Sequence, residues 1–250
     1  MRLQPPSIPA AKRTVSIVIP VYNEAATVAA VLDAILTADT TPFVSEIIVA
    51  DDGSSDATGR ILADYAARHA GDTPITVIKL PVNRGKAAAI RAGLLAARGE
   101  VVLIQDADLE YSPTDYQRLL APFCNASVQV VYGSRFMETQ WPAGMKLRYW
   151  LGNKVFTSLV NLLYGARLTD EGTGYKLFRR EVIMALDLRA EGFRFCPEAT
   201  CKLLRKGIRI TEVHISYRAR NSREGKKPRF SDGIGIIATI LSCRFGRSGE

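Results

Sequence analysis

Three acidic side chains follow an apolar run near the middle of the sequence. In VVLIQDADLE, residues 101–110, four apolar residues lead into Asp106, Asp108 and Glu110. Residues two apart in an extended chain point the same way, so Asp106 and Asp108 can place two carboxylates on one cation. Mg²⁺ and Mn²⁺ prefer oxygen ligands of this kind. The spacing therefore indicates a divalent-metal site, although two acids at a strand end are also typical of a solvated turn.

Further polar side chains end neighbouring predicted strands. Asp51 and Asp52 follow the apolar run of EIIVADDGSSD, and Asn23 and Glu24 follow that of SIVIPVYNE. An acid in such a position can accept hydrogen bonds from a base edge or from ribose hydroxyls. The same residues are also typical of turns and helix caps, and Asn23 is predicted to cap the first helix.

Strand-like and helix-like segments alternate through the first half of the chain. Strands are predicted at TVSIVIPVY, EIIVADD, ITVIKL and EVVLIQDAD, and apolar residues at helical spacing follow each of them. This alternation predicts a mostly parallel sheet buried on both faces, the doubly wound α/β architecture. Because ligands bind beyond the carboxyl ends of the strands in such sheets, we expect the polar residues to converge at one edge.

The composition is that of a globular protein with a basic surface. Of the 250 residues 47% are hydrophobic, enough for one large core, and the net charge is +8. This charge favours a polyanionic partner, which could be nucleic acid, an anionic membrane surface or a phosphorylated substrate. Acids at the strand ends would repel nucleic acid, so no such partner is expected. Four cysteines without a Cys-x-x-Cys pair or a preceding secretory segment indicate reduced thiols in a cytosolic protein.

Eight sequence blocks occur in the order seen in inverting family 2 glycosyltransferases. The blocks are SIVIPVYNE, EIIVADDGSSDAT, NRGKAAAIRAG, VVLIQDADLE, VVYGSRF, GTGYKLFRREV, FCPEATCKLLRKG and REGKKPRFSDG. Within this family the chain most resembles the polyprenyl-phosphate glycosyltransferases, the group of dolichyl-phosphate mannose synthase and the undecaprenyl-phosphate sugar transferases. The resemblance extends from about Thr14 to Phe245, nearly the whole chain.

The resemblance implies the GT-A fold, in which a Rossmann-like nucleotide-binding half with a mostly parallel central sheet is fused to an acceptor-binding half. We expect a single domain over residues 14–245, between an N-terminal extension at 1–13 and a tail at 246–250. The nucleotide-sugar half is expected at 14–125 and the acceptor half at 126–245.

The resemblance also assigns residues to the donor site. The nucleotide sugar would be bound by Pro20, Tyr22, Glu24, Asp51, Asp52, Lys86, Asp106, Arg220, Lys226 and Lys227. Of these, Asp51 or Asp52 would contact the base and ribose, and the last three would form a basic loop that closes over the phosphates. Standing alone, that loop would be interpreted as a solvated basic segment. Asp106 and Asp108 would hold Mg²⁺ or Mn²⁺ on the donor diphosphate, with Glu110 close to the metal.

On the acceptor side, the resemblance places Arg135 at the acceptor phosphate and Arg148 as a second contact, since guanidinium groups suit bidentate phosphate recognition. A prenyl phosphate is already ionised near neutral pH and can attack without a strong base. Asp170 resembles the family's proposed catalytic aspartate, and we assign it orientation or weak base duty; an acid in a turn is the alternative. The catalytic residues implied are Asp108, Asp170 and Arg135.

The segment GMKLRYWLGNKVFTSLVNLLYG combines basic residues with a stripe of apolar ones. Such a helix could rest on an anionic membrane surface or could pack on the core, and the sequence leaves both open. Close relatives frequently carry two transmembrane helices after the catalytic part, and the apolar runs VSIVIPV and IGIIATIL are too short to span a bilayer. We therefore expect a cytoplasmic protein, peripheral on the cytoplasmic face of a membrane, whose contact is transient or depends on a membrane-anchoring partner.

The leading hypothesis is an inverting, metal-dependent hexosyltransferase. It would move a hexose from a nucleotide sugar, of the GDP-mannose or UDP-glucose type, to a polyprenyl phosphate, dolichyl or undecaprenyl phosphate, and form a lipid-linked β-sugar phosphate. One alternative is a family 2 enzyme acting on a soluble acceptor, and another is a non-catalytic nucleotide-sugar-binding protein. The sequence leaves the sugar and the base open, because loops and pocket shape determine both.

Overall fold

The computed structural model describes residues 13–69, 73–219 and 230–246. Within these residues seven strands form one sheet in the order β3-β2-β1-β4-β6-β5-β7. The strands are β1 (Arg13–Val21), β2 (Phe43–Asp51), β3 (Ile75–Lys79), β4 (Val101–Ile104), β5 (Val130–Ser134), β6 (Lys176–Arg179) and β7 (Ile210–His214). β6 runs antiparallel to its neighbours β4 and β5, and all other pairs are parallel. The predicted α/β architecture with a mostly parallel sheet is confirmed.

Helices cover both faces of this sheet. They are α1 (Val28–Leu36), α2 (Thr58–Arg68), α3 (Lys86–Ala96), α4 (Tyr116–Leu120), α5 (Leu147–Tyr164), α6 (Arg180–Met184), α7 (Phe195–Arg205) and α8 (Phe230–Phe245). Short 3₁₀ turns lie at Pro113–Asp115, Ala121–Cys124 and Gly192–Arg194.

Strand β1 shows why the sheet is buried on both faces. Val15, Ile17 and Ile19 point into one hydrophobic core, and Val18 points into the core on the opposite face. Successive side chains of a strand alternate between faces, so an uninterrupted apolar run can fill two cores at once. A third, smaller cluster lies among α5, α7 and α8, around Val160 and Ile240.

The prediction that Asn23 caps the first helix is wrong. Helix α1 begins at Val28, with Thr27 at its N-cap position. Asn23 has a left-handed backbone with φ of 53°, and its side-chain oxygen accepts a hydrogen bond from the backbone N–H of Ser55 instead. Asparagine tolerates this conformation better than most residues, which suits it to the tight turn after β1.

All parallel strands end at the same side of the sheet, which we call the carboxyl edge. The loops that follow β1, β2, β4 and β5 leave the sheet there. Because β6 is antiparallel, the segment that precedes it also lies at the carboxyl edge. The fold therefore brings residues from both halves of the chain to one place.

Candidate active site

Hydrogen bonds hold three loops of the carboxyl edge together. The backbone N–H of Asn23 donates to Ser54 Oγ at 2.9 Å, and the N–H of Ser55 donates to Asn23 Oδ1 at 2.9 Å. Thr27 Oγ1 donates to the carbonyl of Ala107, between the two aspartates after β4, at 2.8 Å. The loops after β1, β2 and β4 are therefore mutually braced, as the sequence predicted for residues at strand ends.

The two aspartates at the end of β2 have different surroundings. Asp52 is buried, and its two carboxylate oxygens accept hydrogen bonds from the backbone N–H groups of Arg84 and Gly85 at 2.8 and 2.7 Å. Asp51 is also buried; its Oδ1 accepts from the N–H of Ser54 at 2.9 Å. Asp51 Oδ2 has no hydrogen-bond partner among the residues that the structure describes. Asp52 thus shapes a loop, and Asp51 has one buried carboxylate oxygen without a described hydrogen-bond partner, which native structures rarely leave unsatisfied.

The other donor-side residues predicted around β1 lie at or near the carboxyl edge. Pro20 is a buried residue of β1 and pairs in register with Ala50. Tyr22 follows the strand and is 39% exposed, so its ring is accessible to a ligand. Glu24 Oε2 lies 2.8 Å from Thr27 Oγ1 and shares the single hydroxyl proton of Thr27 with the carbonyl of Ala107.

Lys86 and Asp106 form an ion pair between the start of α3 and the end of β4. The distance from Lys86 Nζ to Asp106 Oδ1 is 2.5 Å, and the two side chains are 28% and 17% exposed. Burial acts to lower the pKa of Lys86, but the charge and hydrogen bond of Asp106, together with Cys196 and Glu110, outweigh burial and the pKa is raised above its ordinary value. Lys86 therefore stays charged and places an ammonium group beside the predicted metal carboxylates.

Asp108 and Glu110 lie in a tight turn directly after Asp106. Leu109 between them has a φ of 57°, and Asp108 Oδ1 accepts a hydrogen bond from the N–H of Glu110 at 3.2 Å. Tyr217 donates its hydroxyl to Glu110 Oε2 at 3.3 Å. Glu110 therefore connects this turn to the segment after β7.

The carboxylates of Asp106 and Asp108 suit a hard divalent cation that also binds oxygen atoms of a substrate. Over residues 13–69, 73–219 and 230–246 no group of three or more His, Cys, Asp or Glu side chains is arranged to hold a metal. Asp106 and Asp108 offer carboxylate oxygens alone, and Mg²⁺ is commonly bound by one or two carboxylates together with phosphates and water. The pair suits an ion that arrives with a diphosphate, and it does not form a closed structural site.

Arg135, the residue after β5, is held by Asp170 in a buried bidentate pair. Arg135 Nε and Nη2 donate to the two oxygens of Asp170, both at 2.7 Å, and the backbone N–H of Arg135 donates at 3.1 Å. Asn153 adds a fourth hydrogen bond to Asp170 at 3.0 Å. Burial acts to lower the pKa of Arg135, but the charge and hydrogen bonds of Asp170, together with Tyr111 and Tyr217, outweigh burial and the pKa is raised. Asp170 therefore orients Arg135, whose Nη1 side is not used by this pair.

The structure favours Lys154 over Arg148 as the second cation near Arg135. Arg148 is exposed on the first turn of α5, and its guanidinium donates to the hydroxyl of Tyr149 at 3.0 Å. Lys154 Nζ lies 4.3 Å from the ring centroid of Phe136, and the Arg135 guanidinium lies 5.7 Å from the same centroid. In the sequence, Lys154 is marked only as one of the basic residues of the segment GMKLRYWLGNKVFTSLVNLLYG.

One short stretch, residues 170–174, connects the two clusters; we call it the bridging segment. Asp170 begins it and pairs with Arg135, and Gly174 ends it against the Asp106 carboxylate. A Cβ atom on Gly174 would lie 2.6 Å from Asp106 Oδ2, so only glycine fits at this position. The predicted donor and acceptor groups are thus neighbours in space. The predicted basic loop of Arg220, Lys226 and Lys227 lies outside the described residues.

A mostly parallel sheet with polar residues at its carboxyl edge is the architecture in which open α/β proteins bind ligands. Residues 16–187 match the family described as Glycosyl transferase family 2. The chain belongs to this family, and the predicted family, fold and glycosyltransferase class are confirmed.

Characterised relatives share most of the chain. It is 32% identical over 240 residues to an undecaprenyl-phosphate mannosyltransferase of Micrococcus luteus, with 92% of each chain covered. It is 27% identical over 231 residues to a dodecaprenyl-phosphate galacturonate synthase of Rhizobium johnstonii, covering 92% of this chain and 66% of that protein. The fold resembles glucosyl-3-phosphoglycerate synthase of Mycobacterium tuberculosis, crystallised with Mn²⁺, UDP and glucosyl-3-phosphoglycerate. The TM-score is 0.69 at 24% identity, over 94% of this chain and 81% of the other.

In the described parts of the chain, no helix combines the length and the apolar character that crossing a bilayer requires.

Proposed function

We propose that this protein transfers a hexose from a nucleotide sugar to a polyprenyl phosphate with inversion at the anomeric carbon. The observation that supports this proposal most strongly is the bridging segment, whose five residues connect the Arg135–Asp170 pair to the Asp106 carboxylate. Two residues of chain span at most about 7 Å, so Gly172 and Gly174 lie no further apart than that. A phosphate at Arg135 and a diphosphate at Asp106 would therefore lie on either side of one sugar ring, as displacement requires.

The donor would be held by groups of both charges. Asp51 Oδ2 would accept a hydrogen bond from the base or ribose, and Asp52 would keep the neighbouring loop in place. Asp106 and Asp108 would hold Mg²⁺ or Mn²⁺, which when bound neutralises charge on the departing diphosphate. The Lys86 ammonium, charged beside Asp106, would add to that neutralisation.

The acceptor would need orientation more than activation. Its phosphate oxygens are ionised near neutral pH, so no proton has to be removed before attack. The buried Asp170 accepts four hydrogen bonds, which suits an anchor for Arg135 better than a base. Arg135 would present one phosphate oxygen to the face of the sugar opposite the leaving diphosphate, and Lys154 would offset the remaining charge.

The acceptor's lipid chain would lie at a membrane surface contacted by α5. Leu147, Leu151 and Val155 are exposed at 62%, 53% and 46%, one helical turn apart. Trp141 stacks on Trp150 beside them, with ring centroids 5.2 Å apart. Basic residues on or next to the same helix and the net charge of +8 match an anionic cytoplasmic leaflet. We expect peripheral attachment there through this face.

The test uses the purified chain, a radiolabelled nucleotide sugar, Mn²⁺ and vesicles that contain a polyprenyl phosphate. A labelled product extractable into organic solvent is expected, and its formation should stop with EDTA and with Asp108→Asn. A parallel reaction with a soluble phosphorylated acceptor and no lipid gives the comparison. Label that enters only a water-soluble product would refute the lipid acceptor, and nucleotide-sugar binding without any transfer would indicate a binding protein.

A further inference from the structure

A lysine that touches neither proposed substrate lies buried behind the bridging segment. Lys176, the first residue of β6, has no exposed surface. Its Nζ donates to the carbonyl oxygens of Glu171 and Thr173 at 2.6 and 3.1 Å, and lies 4.0 Å from the ring centroid of Tyr132. Within the described residues no carboxylate lies within ion-pair distance of it. A buried ammonium is costly, so hydrogen bonds that satisfy it strongly constrain their partners.

Along the bridging segment, residues whose carbonyls bind Lys176 alternate with glycines that face the proposed acceptor and donor subsites, at Arg135 and at Asp106. A Cβ atom on Gly172 would lie 3.8 Å from Arg135 Nη2, and one on Gly174 would lie 2.6 Å from Asp106 Oδ2. Glu171 and Thr173, between and beside these glycines, direct their carbonyls to Lys176. Two carbonyls of the bridging segment are therefore held by one ammonium group, while its N–H groups donate to Thr157, Asn153 and Tyr111.

We infer that Lys176 is a positioning residue that sets the distance between the acceptor phosphate and the donor diphosphate, an inference that rests on the proposed transfer reaction. Each subsite has its own support: Asp170 and Asn153 build the acceptor side, and Lys86 pairs with Asp106 on the donor side. Loss of the Lys176 ammonium would leave both subsites formed and would free two carbonyls of the backbone that spaces them, so that this backbone can shift. A displacement of about 1 Å can lower a rate about 100-fold.

The test is Lys176→Met, which keeps the aliphatic stem and removes the donors. We expect kcat to fall about 100-fold, because spacing acts on the reacting complex. The KM values for nucleotide sugar and prenyl phosphate should stay within about threefold of wild type. The matched control is Lys202→Met on α7. Lys202 Nζ also donates to a backbone carbonyl, that of Asp187 at 2.7 Å, and pairs with Glu198 at 2.7 Å, and neither partner belongs to a proposed subsite.

The control separates positioning from general stability. Lys202→Met is expected to lower the melting temperature with kcat unchanged. Lys176→Gln keeps two N–H donors without the charge, and its kcat should fall about tenfold. If Lys176→Met does not fold, the kcat of Lys176→Gln provides the test. A wild-type kcat in whichever Lys176 variant folds, or a rise in KM alone, would overturn the inference. A wild-type chain that transfers no sugar would instead refute the proposed function, and the inference with it.

Discussion

Replacing Asp170 by asparagine tests the buried pair that organises the acceptor side. Asp170 accepts four hydrogen bonds, two at each oxygen: Arg135 N and Nε at Oδ2, and Arg135 Nη2 and Asn153 Nδ2 at Oδ1. An asparagine has an NH₂ group in place of one of these oxygens. Whichever way its amide is turned, that NH₂ group faces two hydrogen-bond donors. Two hydrogen bonds are lost, and the Arg135 guanidinium, 8% exposed, loses its counter-charge.

The expected destabilisation from Asp170→Asn is about 3–5 kcal/mol, the usual cost of removing one partner of a buried ion pair. Two lost hydrogen bonds to a charged group, at about 1.5–3 kcal/mol each, give a similar figure. For a domain of this size the melting temperature should fall by about 6–20 °C. Thermal unfolding followed by circular dichroism measures it, and the KM for prenyl phosphate should rise as Arg135 loses its orientation.

The matched control is Asp187→Asn. Asp187 also pairs with an arginine, Arg189, at 2.6 Å, but both side chains are highly exposed, at 71% and 81%. Water screens such a pair, so no measurable change in melting temperature is expected. Equal melting temperatures for the two variants would refute the view that Asp170 anchors Arg135.

Three further outcomes are expected. Asp51→Asn should weaken nucleoside diphosphate binding about 10-fold or more in calorimetric titration, since a hydrogen bond to a charged group is lost. Asp52→Asn should mainly lower the melting temperature. The reverse pattern would contradict the assignment of Asp51 to the ligand and of Asp52 to the loop. Lys154→Met should raise the KM for prenyl phosphate about tenfold and Arg148→Met should leave it nearly unchanged in steady-state kinetics. Because Asp106 raises the pKa of Lys86 above its usual 10.5, the stabilisation from their pair is complete below that pH and is lost as pH rises through the raised pKa. The melting temperatures of wild type and Lys86→Met should therefore differ near neutral pH and converge in strong alkali; a constant difference would contradict the pairing.

The sheet and its polar edge could be predicted because their signals are local. An unbroken apolar run such as the one before Asp106 indicates a strand buried on both faces, because successive side chains point to opposite faces. In a parallel sheet the ends of such strands then lie at the same edge. The helix start at Val28 could not be predicted from Asn23, because the turn after β1 is fixed by hydrogen bonds to Ser54 and Ser55, about thirty residues away.

Within the site, the choice between similar residues depended on tertiary contacts. Nothing in the sequence separates Asp51 from Asp52, since the loop amides that occupy Asp52 belong to a later segment. Arg148 and Lys154 are both basic residues of α5, and only the packing of Phe136 shows which lies near Arg135. Lys176 gave no functional signal at all, because its meaning rests on the carbonyls that fold back onto it.

The most direct test of the proposed reaction is the anomeric configuration of its product. The lipid-linked sugar formed by the purified chain from an α-linked nucleotide sugar and a polyprenyl phosphate can be isolated and examined by NMR. Displacement by a phosphate held at Arg135, opposite the diphosphate at Asp106, requires a β-linked sugar phosphate. An α-linked product, or a product in which the sugar is not joined to the lipid phosphate, would contradict the arrangement of the two subsites.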